Sequence, residues 1–519
     1  MIMASPNART TPRPIVSAAV AAFALASTLA SPALAAAKEL PQVSAALAYA
    51  EDKAASYIEE LIDFVSIPSV STLSEHEADM RAAAAWVKAR ALKAGLEHAE
   101  VMETGAQPLV YADWLHAGPD APTLLIYAHY DVQPADPFEL WTHPPFAPHL
   151  DASEGKLYGR GASDDKCGVL MAIHAVESVL ATSGGAGLPV NVKLMIDGQE
   201  EIGSPQLESF LAKHASSGRF QADFAFSADG GQVSLAVPRV TTSLRGLAAL
   251  EVHVKTAGID LHSGMFGGAV PNALHVIADM VAGLHDAEGR VSVPGFYDAV
   301  MEMSERERAN TEFPTEAFYA KEIGAKGIKE GVGETGFSTF ERLTVRPTLE
   351  ITGMWGGFQG EGVKTVIPAQ AHAKIACRLV ANQDAAVIQR LVAARLQALC
   401  PSYAECTTST GHFDLAQPFS VAFDAPSSVA QRSVLEATFP NAEGGVLFTK
   451  HGATIPAMHM LQQGLGADTA MMGFSENDNA LHAPNEFMRL EAYAKGREAY
   501  IRLLFELEGK KGKQSKTEL

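Results

Sequence analysis

Short apolar runs alternate with helical stretches in the first half of the chain, and this alternation constrains the fold most strongly. Runs rich in Ile, Val, Leu and Tyr occupy residues 123–128, 190–196 and 224–226, and residues 168–180 show helical spacing between them. Runs this short are typical of strands buried on both faces. The order predicts an α/β domain with a mainly parallel sheet and helices on both faces.

The pattern changes near residue 243. Residues 247–254 and 371–379 alternate apolar and polar side chains, as strands with one exposed face do. Helical stretches at 273–284 and 385–399 lie among them. We therefore expect a smaller α+β domain to be inserted into the first domain.

The predicted boundaries follow from this change. The α/β domain would comprise residues 40–242 and 415–508, with the inserted domain at 243–414 and a Lys-rich disordered tail at 509–519. A chain of 519 residues is too long for one ordinary core, which agrees with two domains.

Residues 1–35 predict a secretory signal peptide. Two arginines precede an apolar run over residues 15–29, and Ala33 and Ala35 supply the small residues that a signal peptidase reads. The alternative is an uncleaved anchor, but the run is short for a membrane span. We expect an exported protein, periplasmic or extracellular, without membrane contact after cleavage.

Charge and cysteine content exclude some classes of function. The formal net charge of -20 argues against a nucleic-acid partner, which would require a basic face. The four cysteines form no CxxC pair, which argues against a zinc–thiolate site. Cys400 and Cys406 are the one close pair that could form a disulfide; buried free thiols are the alternative.

Five segments with chemically capable side chains follow predicted strands or lie in turns. Ligands of open α/β sheets bind beyond the carboxyl ends of the strands, so this placement favours a common site. Taken singly, most of these segments also fit a surface histidine, a helix cap, a turn or a solvated acidic pair. The segments are His129-Tyr-Asp131, Asp164-Asp165, Glu200-Glu201, Asp229-Gly and His482.

Together the segments indicate a site for metal ions. Adjacent glutamates at the end of an apolar strand are costly unless cations lie near them. Nitrogen and oxygen ligands without thiolate suit Zn²⁺, and also Mn²⁺ or Co²⁺. A carboxylate that bridges two ligand sets would fit a pair of ions about 3.5–4 Å apart.

The order of these segments resembles the M20 metallopeptidases, and above all their carnosinase-like, cytosolic nonspecific dipeptidase branch. Residues 260–268, Asp-Leu-His-Ser-Gly-Met-Phe-Gly-Gly, are similar to a signature of that branch. The resemblance implies two divalent ions per chain, with Asp164 bridging them. His129, Glu201, Asp229 and His482 would be the terminal ligands, Glu201 on one ion and Asp229 on the other.

The resemblance also implies catalytic roles. Glu200 would take a proton from a metal-bridging water and then protonate the leaving amine, while Asp131 would orient His129. His262 would cross a homodimer interface to stabilise the oxyanion, and Arg378 would hold the substrate's carboxylate. The alternative for His262 is a core or surface histidine without a catalytic role, and the alternative for Arg378 is an exposed arginine on a strand. The inserted domain would be the lid and dimerisation domain.

Two segments depart from the family pattern. Residues 450–456 read Lys-His-Gly-Ala-Thr-Ile-Pro where the family often has Arg-Glu-Gly-Gly-Ser-Ile-Pro. Lys450, Gly452 and Thr454 would contact substrate, and His451 in place of Glu should alter recognition of the substrate's amino end. Cys167 stands where Gly is usual, and a thiol near the metals could make the enzyme sensitive to oxidation.

The predicted function is metal-dependent hydrolysis of the peptide bond in dipeptides or short peptides by a homodimer. An N-acyl-amino-acid deacylase is the alternative within the same chemistry. A non-catalytic metal-binding protein is the alternative from another class.

Overall fold

The fold is taken from a computed structural model that describes residues 39–310, 316–411, 415–442 and 444–512. The segment predicted as a signal peptide and most of the predicted tail lie outside these ranges. Within them, no helix combines the length and the apolar character that crossing a membrane requires.

The strands, numbered in chain order, are β1 (Glu97–Met102), β2 (Leu109–Trp114), β3 (Thr123–His129), β4 (His149–Asp151), β5 (Lys156–Tyr158), β6 (Asn191–Asp197), β7 (Phe224–Ser227), β8 (Arg239–Leu244), β9 (Gly246–Lys255), β10 (Leu261–His262), β11 (Thr348–Gly356), β12 (Val366–Ile367), β13 (Gln370–Leu379), β14 (Glu405–Ser409), β15 (Leu415–Ala416), β16 (Phe419–Ser420), β17 (Leu447–His451), β18 (Asp468–Met471) and β19 (Phe487–Arg489).

The α-helices are α1 (Pro41–Asp52), α2 (Ala54–Val65), α3 (Glu77–Lys93), α4 (Lys166–Thr182), α5 (Leu207–His214), α6 (Ser263–Phe266), α7 (Ala273–Ala282), α8 (Glu305–Asn310), α9 (Glu316–Ala325), α10 (Thr339–Thr344), α11 (Ala385–Leu399), α12 (Pro426–Thr438), α13 (Pro456–Leu465) and α14 (Leu490–Glu506).

A six-stranded sheet in the order β1-β2-β6-β3-β7-β18 forms the centre of the larger domain. Strands β6, β3, β7 and β18 are mutually parallel, while β2 pairs antiparallel with both β1 and β6. The three apolar runs of the sequence form β3, β6 and β7. The prediction of an α/β domain with a mainly parallel sheet is confirmed.

Alternating side chains of the parallel strands enter two different cores, as a strand period of two requires. In β3, Leu124 and Ile126 belong to the large core that α3, α4 and α14 cover. Leu125 and Tyr127 point to the other face, where they pack in one cluster with Phe210 of α5. Burial on both faces is the reason that these strands are continuously apolar.

The inserted domain is built on an antiparallel sheet in the order β11-β13-β9-β14, with β15 also pairing with β9. Helices α7 and α11 cover one face, where Val252 and Val254 of β9 pack with Ile277 and Val392. An α+β insertion is thus confirmed. The domain boundaries remain predictions, and the one at residue 243 falls within β8.

The sulfur atoms of Cys400 and Cys406 form a disulfide that joins the end of α11 to β14. Cys167 and Cys377 are buried free thiols. The chain therefore contains both a disulfide and buried free thiols, the two alternatives considered for its cysteines.

Candidate metal centre

The parallel strands carry the predicted site residues to one edge of the central sheet. His129 is the last residue of β3, and Glu200 and Glu201 begin a single 3₁₀ turn directly after β6. Asp229 follows β7 by two residues. Because the carboxyl ends of parallel strands meet at one edge, residues far apart in sequence converge there.

Two further residues reach this edge from loops. Asp164 lies in the turn that precedes α4, and His482 lies in the loop between β18 and β19. His482 has φ = 57°, in the left-handed region that few residues other than glycine adopt. Backbone strain at a non-glycine residue is characteristic of functional sites.

The converging side chains form two groups, each of which could hold a metal ion. In each group the potential ligand atoms lie within 4.8 Å of one another. The first group is His129, Glu200 and Asp229, and the second is Asp164, Glu201 and His482.

Asp164 lies between the two groups. Its Oδ1 is 3.0 Å from Nε2 of His129, and its Oδ2 is 3.1 Å from Nε2 of His482. The two oxygens of one carboxylate thus face different histidines. This is the arrangement that a carboxylate shared by two cations requires.

The second group is held in place by Gln133, which sequence reasoning missed. His482 Nε2 is 3.1 Å from Oε2 of Glu201. Gln133 donates its backbone N–H to Oε1 of Glu201 at 3.1 Å and its side-chain amide to Oε2 at 2.8 Å. These bonds orient the Glu201 carboxylate toward His482.

Asp131 connects the two strand ends. Its fully buried carboxylate lies 3.4 Å from Nδ1 of His129. Its two oxygens accept the backbone N–H groups of Glu200 at 3.2 Å and Glu201 at 3.1 Å. The backbone carbonyl of Asp131 lies closer to Nδ1 of His129, at 3.1 Å. Asp131 thus contacts His129 and holds the glutamate turn, and its role in orienting His129 stays a prediction.

The cluster carries more negative charge than its protein partners neutralise. Burial raises the pKa of Glu200 well above its usual range, and burial together with the charge of Asp164 raises that of Asp229 to about 7. Hydrogen bonds from both histidines outweigh burial and lower the pKa of Asp164. Asp164 and Glu201 raise the pKa of His482 to about 10. No described salt bridge joins the four carboxylates of the two groups to Lys or Arg, so cations from solution would relieve the repulsion.

Glu486 shapes the turn that carries Asp164, and its role was not predicted. Its buried carboxylate accepts hydrogen bonds from Nη1 of Arg160 at 2.8 Å and from the backbone N–H groups of Gly161, Ser163 and Asp164 at 2.9–3.1 Å. The signal in the sequence that could have indicated this role was an acidic residue, Glu486, only four positions after the predicted ligand His482.

Other predicted residues lie apart from the cluster. His262, on β10, is exposed, and its Nδ1 accepts the backbone N–H of Gly264 at 3.1 Å. The chain by itself does not bring His262 into either ligand group. The thiol of Cys167 is buried, which raises its pKa well above the usual range. A neutral buried thiol opposes the expected sensitivity to oxidation.

The residues predicted to contact substrate lie together. Nη1 of Arg378, on β13, donates to Oγ1 of Thr454 at 2.7 Å. Lys450 forms an ion pair with Glu307 at 3.1 Å. The backbone carbonyl of Gly452 accepts a hydrogen bond from Nε of Arg245.

Known proteins resemble this chain over most of its length. A profile of Peptidase family M20/M25/M40 matches residues 125–506. A Cys-Gly metallodipeptidase of Candida albicans is 27% identical over 467 residues, which cover 86% of this chain and 93% of the relative. The Beta-Ala-His dipeptidase of Homo sapiens is 28% identical over 401 residues, 77% of each chain.

The fold is also similar to solved structures. An M20 family metallo-carboxypeptidase from Sulfolobus solfataricus superimposes with a TM-score of 0.76 and 28% sequence identity, covering 87% of this chain and 99% of that chain. The family recognised from the order of the site residues is confirmed, and with it a hydrolase.

The prediction of export to a periplasm or the cell exterior is wrong. The Cys-Gly metallodipeptidases to which the chain is similar are cytosolic enzymes, and no finding supports a signal peptide. The prediction rested on residues 1–35, outside the described residues. Arginines before an apolar run satisfy a compositional pattern that does not require export.

Proposed function

The chain belongs to Peptidase family M20/M25/M40, and from this premise we propose that it hydrolyses the peptide bond of dipeptides with two divalent metal ions. Relatives named for the dipeptides that they cleave support this substrate class. The observation that carries the proposal is the position of Asp164, with one histidine at each carboxylate oxygen, between two groups of ligands.

The residues present fit two ions. In this assignment His129 and Asp229 would hold one ion, Glu201 and His482 would hold the other, and Asp164 would be shared. Imidazole and carboxylate donors without thiolate make Zn²⁺ the first candidate, with Mn²⁺ and Co²⁺ as alternatives. When bound, paired divalent ions activate water and polarise a carbonyl group.

We assign the proton transfers to Glu200. As the hydrolytic water bonds to the carbonyl carbon, the Glu200 carboxylate accepts its proton, and it then delivers a proton to the amine nitrogen as the C–N bond breaks. The position of Glu200 supports this role, because its carboxylate lies in one group with His129 and Asp229, within reach of a water at the proposed ions. Asp131 would hold the Glu200 backbone and orient His129.

Arg378 and Thr454 are proposed to bind the substrate's terminal carboxylate. A guanidinium already in contact with a hydroxyl offers further N–H donors to a carboxylate. Lys450 and Gly452 are assigned to the same wall of the site.

We further propose that the protein is a homodimer in which His262 completes the partner's site. Exposed apolar side chains surround His262, and burial against a second copy would remove them from water. Ile259 and Met265 are 70% and 75% exposed, and Val363 is 92% exposed.

A mixing experiment tests the donation of His262. Glu200→Gln and His262→Ala homodimers would each be nearly inactive. After subunit exchange, one site of each heterodimer would contain both native residues, and activity should return to about a quarter of the wild-type value by random pairing. A mixture that stays inactive, although subunit exchange is verified by mass, would contradict this role for His262.

Reconstitution tests the proposed function as a whole. The metal-free protein would be loaded separately with Zn²⁺, Mn²⁺ or Co²⁺ and incubated with dipeptides, tripeptides and N-acyl amino acids. We expect the highest kcat/KM on dipeptides. Exclusive cleavage of N-acyl amino acids would establish the deacylase instead, and absence of all cleavage would overturn the proposal.

A further inference from the structure

A cavity of about 310 Å³ opens where β8 and β17 pair. Arg239 and Arg245, from β8 and the residue after it, line it together with His451 at the end of β17. Tyr319 and Asn477 contribute to its wall. None of the described residues that line this space is acidic. We refer to it as the cationic cavity.

The two arginines have no ion-pair partner among the described residues. Arg239 is only 8% exposed and donates from Nε to the carbonyl of Gly231 at 2.8 Å. Arg245 donates from Nε to the carbonyl of Gly452 at 3.1 Å. Both guanidinium groups are thus held by uncharged backbone oxygens, and no described acidic side chain neutralises their positive charges. Lys450, in the same wall, differs because Glu307 neutralises it.

The surrounding groups show that the local potential is positive. Burial lowers the pKa of Arg239 to about 10, and burial together with Arg378 lowers that of Arg245 to about 10. Burial and the two arginines lower the pKa of His451 to about 3. At neutral pH the arginines are charged and the imidazole is neutral. Unpaired buried charge is costly, and an anionic ligand would reduce that cost.

Chain connectivity places the cavity next to the reacting centre. Gly231, which accepts the Arg239 hydrogen bond, is two residues from Asp229, hence within about 7 Å between Cα atoms. Asn477 belongs to the loop that carries His482. On the other side, β17 leads to Thr454 and so to Arg378.

We propose that the cationic cavity binds a carboxylate on the acyl half of the substrate, in addition to the terminal carboxylate that Arg378 holds. The inference rests on the proposed function and deepens it. The preferred substrates are dipeptides with an acidic first residue and amino acids acylated by a dicarboxylic acid. Arg239 and Arg245 supply the N–H donors. His451 supplies a neutral imidazole, whereas pairing with a free amino group would require an acidic side chain.

Matched substrates test the preference. L-Glu-L-Ala and L-Gln-L-Ala differ in one charge at nearly constant shape, as do N-succinyl- and N-succinamyl-L-alanine. Hydrogen bonds to charged groups predict that kcat/KM favours the anionic member of each pair by about tenfold to a hundredfold. Equal values within both pairs overturn the inference while leaving the proposed hydrolase intact. A preference for L-Ala-L-Glu over L-Glu-L-Ala overturns the placement on the acyl half.

Variants connect the preference to the cavity. Arg239→Gln and His451→Glu should each remove most of the selectivity for L-Glu-L-Ala over L-Gln-L-Ala, measured as the ratio of the two kcat/KM values. Arg432→Gln, an exposed arginine on α12, is the matched control. Selectivity that persists in both cavity variants, with folding verified by circular dichroism, overturns the assignment.

Binding gives a readout that does not depend on catalysis. Calorimetry with glutarate should detect binding to the wild-type chain and to Arg432→Gln, and at least tenfold weaker binding to Arg239→Gln. Glutarate binding that needs Arg239, without hydrolysis of any substrate, would uphold the cavity and refute the proposed hydrolase. Glutarate binding that is unaffected by Arg239→Gln would refute the cavity.

Discussion

Two adjacent regions of this protein carry opposite unbalanced charge. The strand-end cluster contains partly buried carboxylates without Lys or Arg partners in any described salt bridge. The cationic cavity contains the buried Arg239 and the partly buried Arg245, without acidic partners in the described chain. No described salt bridge joins the two regions. The acidic region therefore favours the binding of cations, and the basic region favours the binding of an anion. This arrangement suits a site that binds both metal ions and an anionic substrate.

Removal of metal should have the largest effect on the acidic region. Treatment with a chelator, or the substitution Asp164→Ala, should abolish peptide hydrolysis, because the shared ligand lies between both groups. Elemental analysis should find about two ions per wild-type chain. The exposed Asp120→Ala serves as control. Full activity of the Asp164→Ala chain would refute the claim that the acidic region binds two ions through a shared Asp164.

Glu200→Gln should lower kcat by about 10² to 10⁴-fold while the metal content stays at the wild-type level. The amide keeps the size of the side chain but cannot accept the proton. Glu208→Gln, exposed on α5, is the matched control. An unaltered kcat would exclude Glu200 as the base, and loss of metal would indicate that Glu200 is a ligand.

Glu486→Gln should destabilise the fold by about 3–5 kcal/mol, because it leaves Arg160 buried with its charge unpaired. It should also weaken metal binding, since the turn that carries Asp164 loses one of the two carboxylate oxygens that accept its N–H groups. Urea unfolding and metal titration measure the two effects, with Glu491→Gln as the exposed control. Unchanged stability would show that the charge of Glu486 is not needed.

The smallest expected effect is the dependence of metal affinity on pH. Without metal, Asp229 has its pKa raised to about 7 and His482 to about 10, so both are protonated in the folded chain below pH 7. Metal must displace these protons, which weakens binding by about 1.4 kcal/mol per pH unit and per proton as the pH falls. Above pH 7 the Asp229 proton is lost, while the protons of His482 and of His129 remain to be displaced, since burial of His129 is outweighed by Asp131 and Asp164, which raise its pKa well above the usual value. The rise in Tm on adding metal should be larger at pH 7.5 than at pH 5.5; equal rises would contradict the raised pKa values.

A large part of the acidic region could be predicted from the sequence. Short apolar runs predict parallel strands, and the residue just after each run must lie at the carboxyl edge of the sheet. His129, Glu201 and Asp229 therefore converge by local pattern and sheet geometry alone. The edge strand β1 was not predicted, because half of its residues are polar, most are exposed or partly exposed, and they show no long apolar run.

The order of residues along the chain thus determined the fold class, the family and the candidate ligands of the metal centre. The tertiary structure decided what surrounds them: Glu486 beneath the Asp164 turn, Gln133 on Glu201, and His451 between two arginines. The parallel pairing of β8 with β17 places His451 opposite Leu244, the neighbour of Arg245, across more than 200 positions of the chain. Periodicity records which face of an element is buried, but the potential at a side chain depends on charges from distant segments, which only the folded chain places.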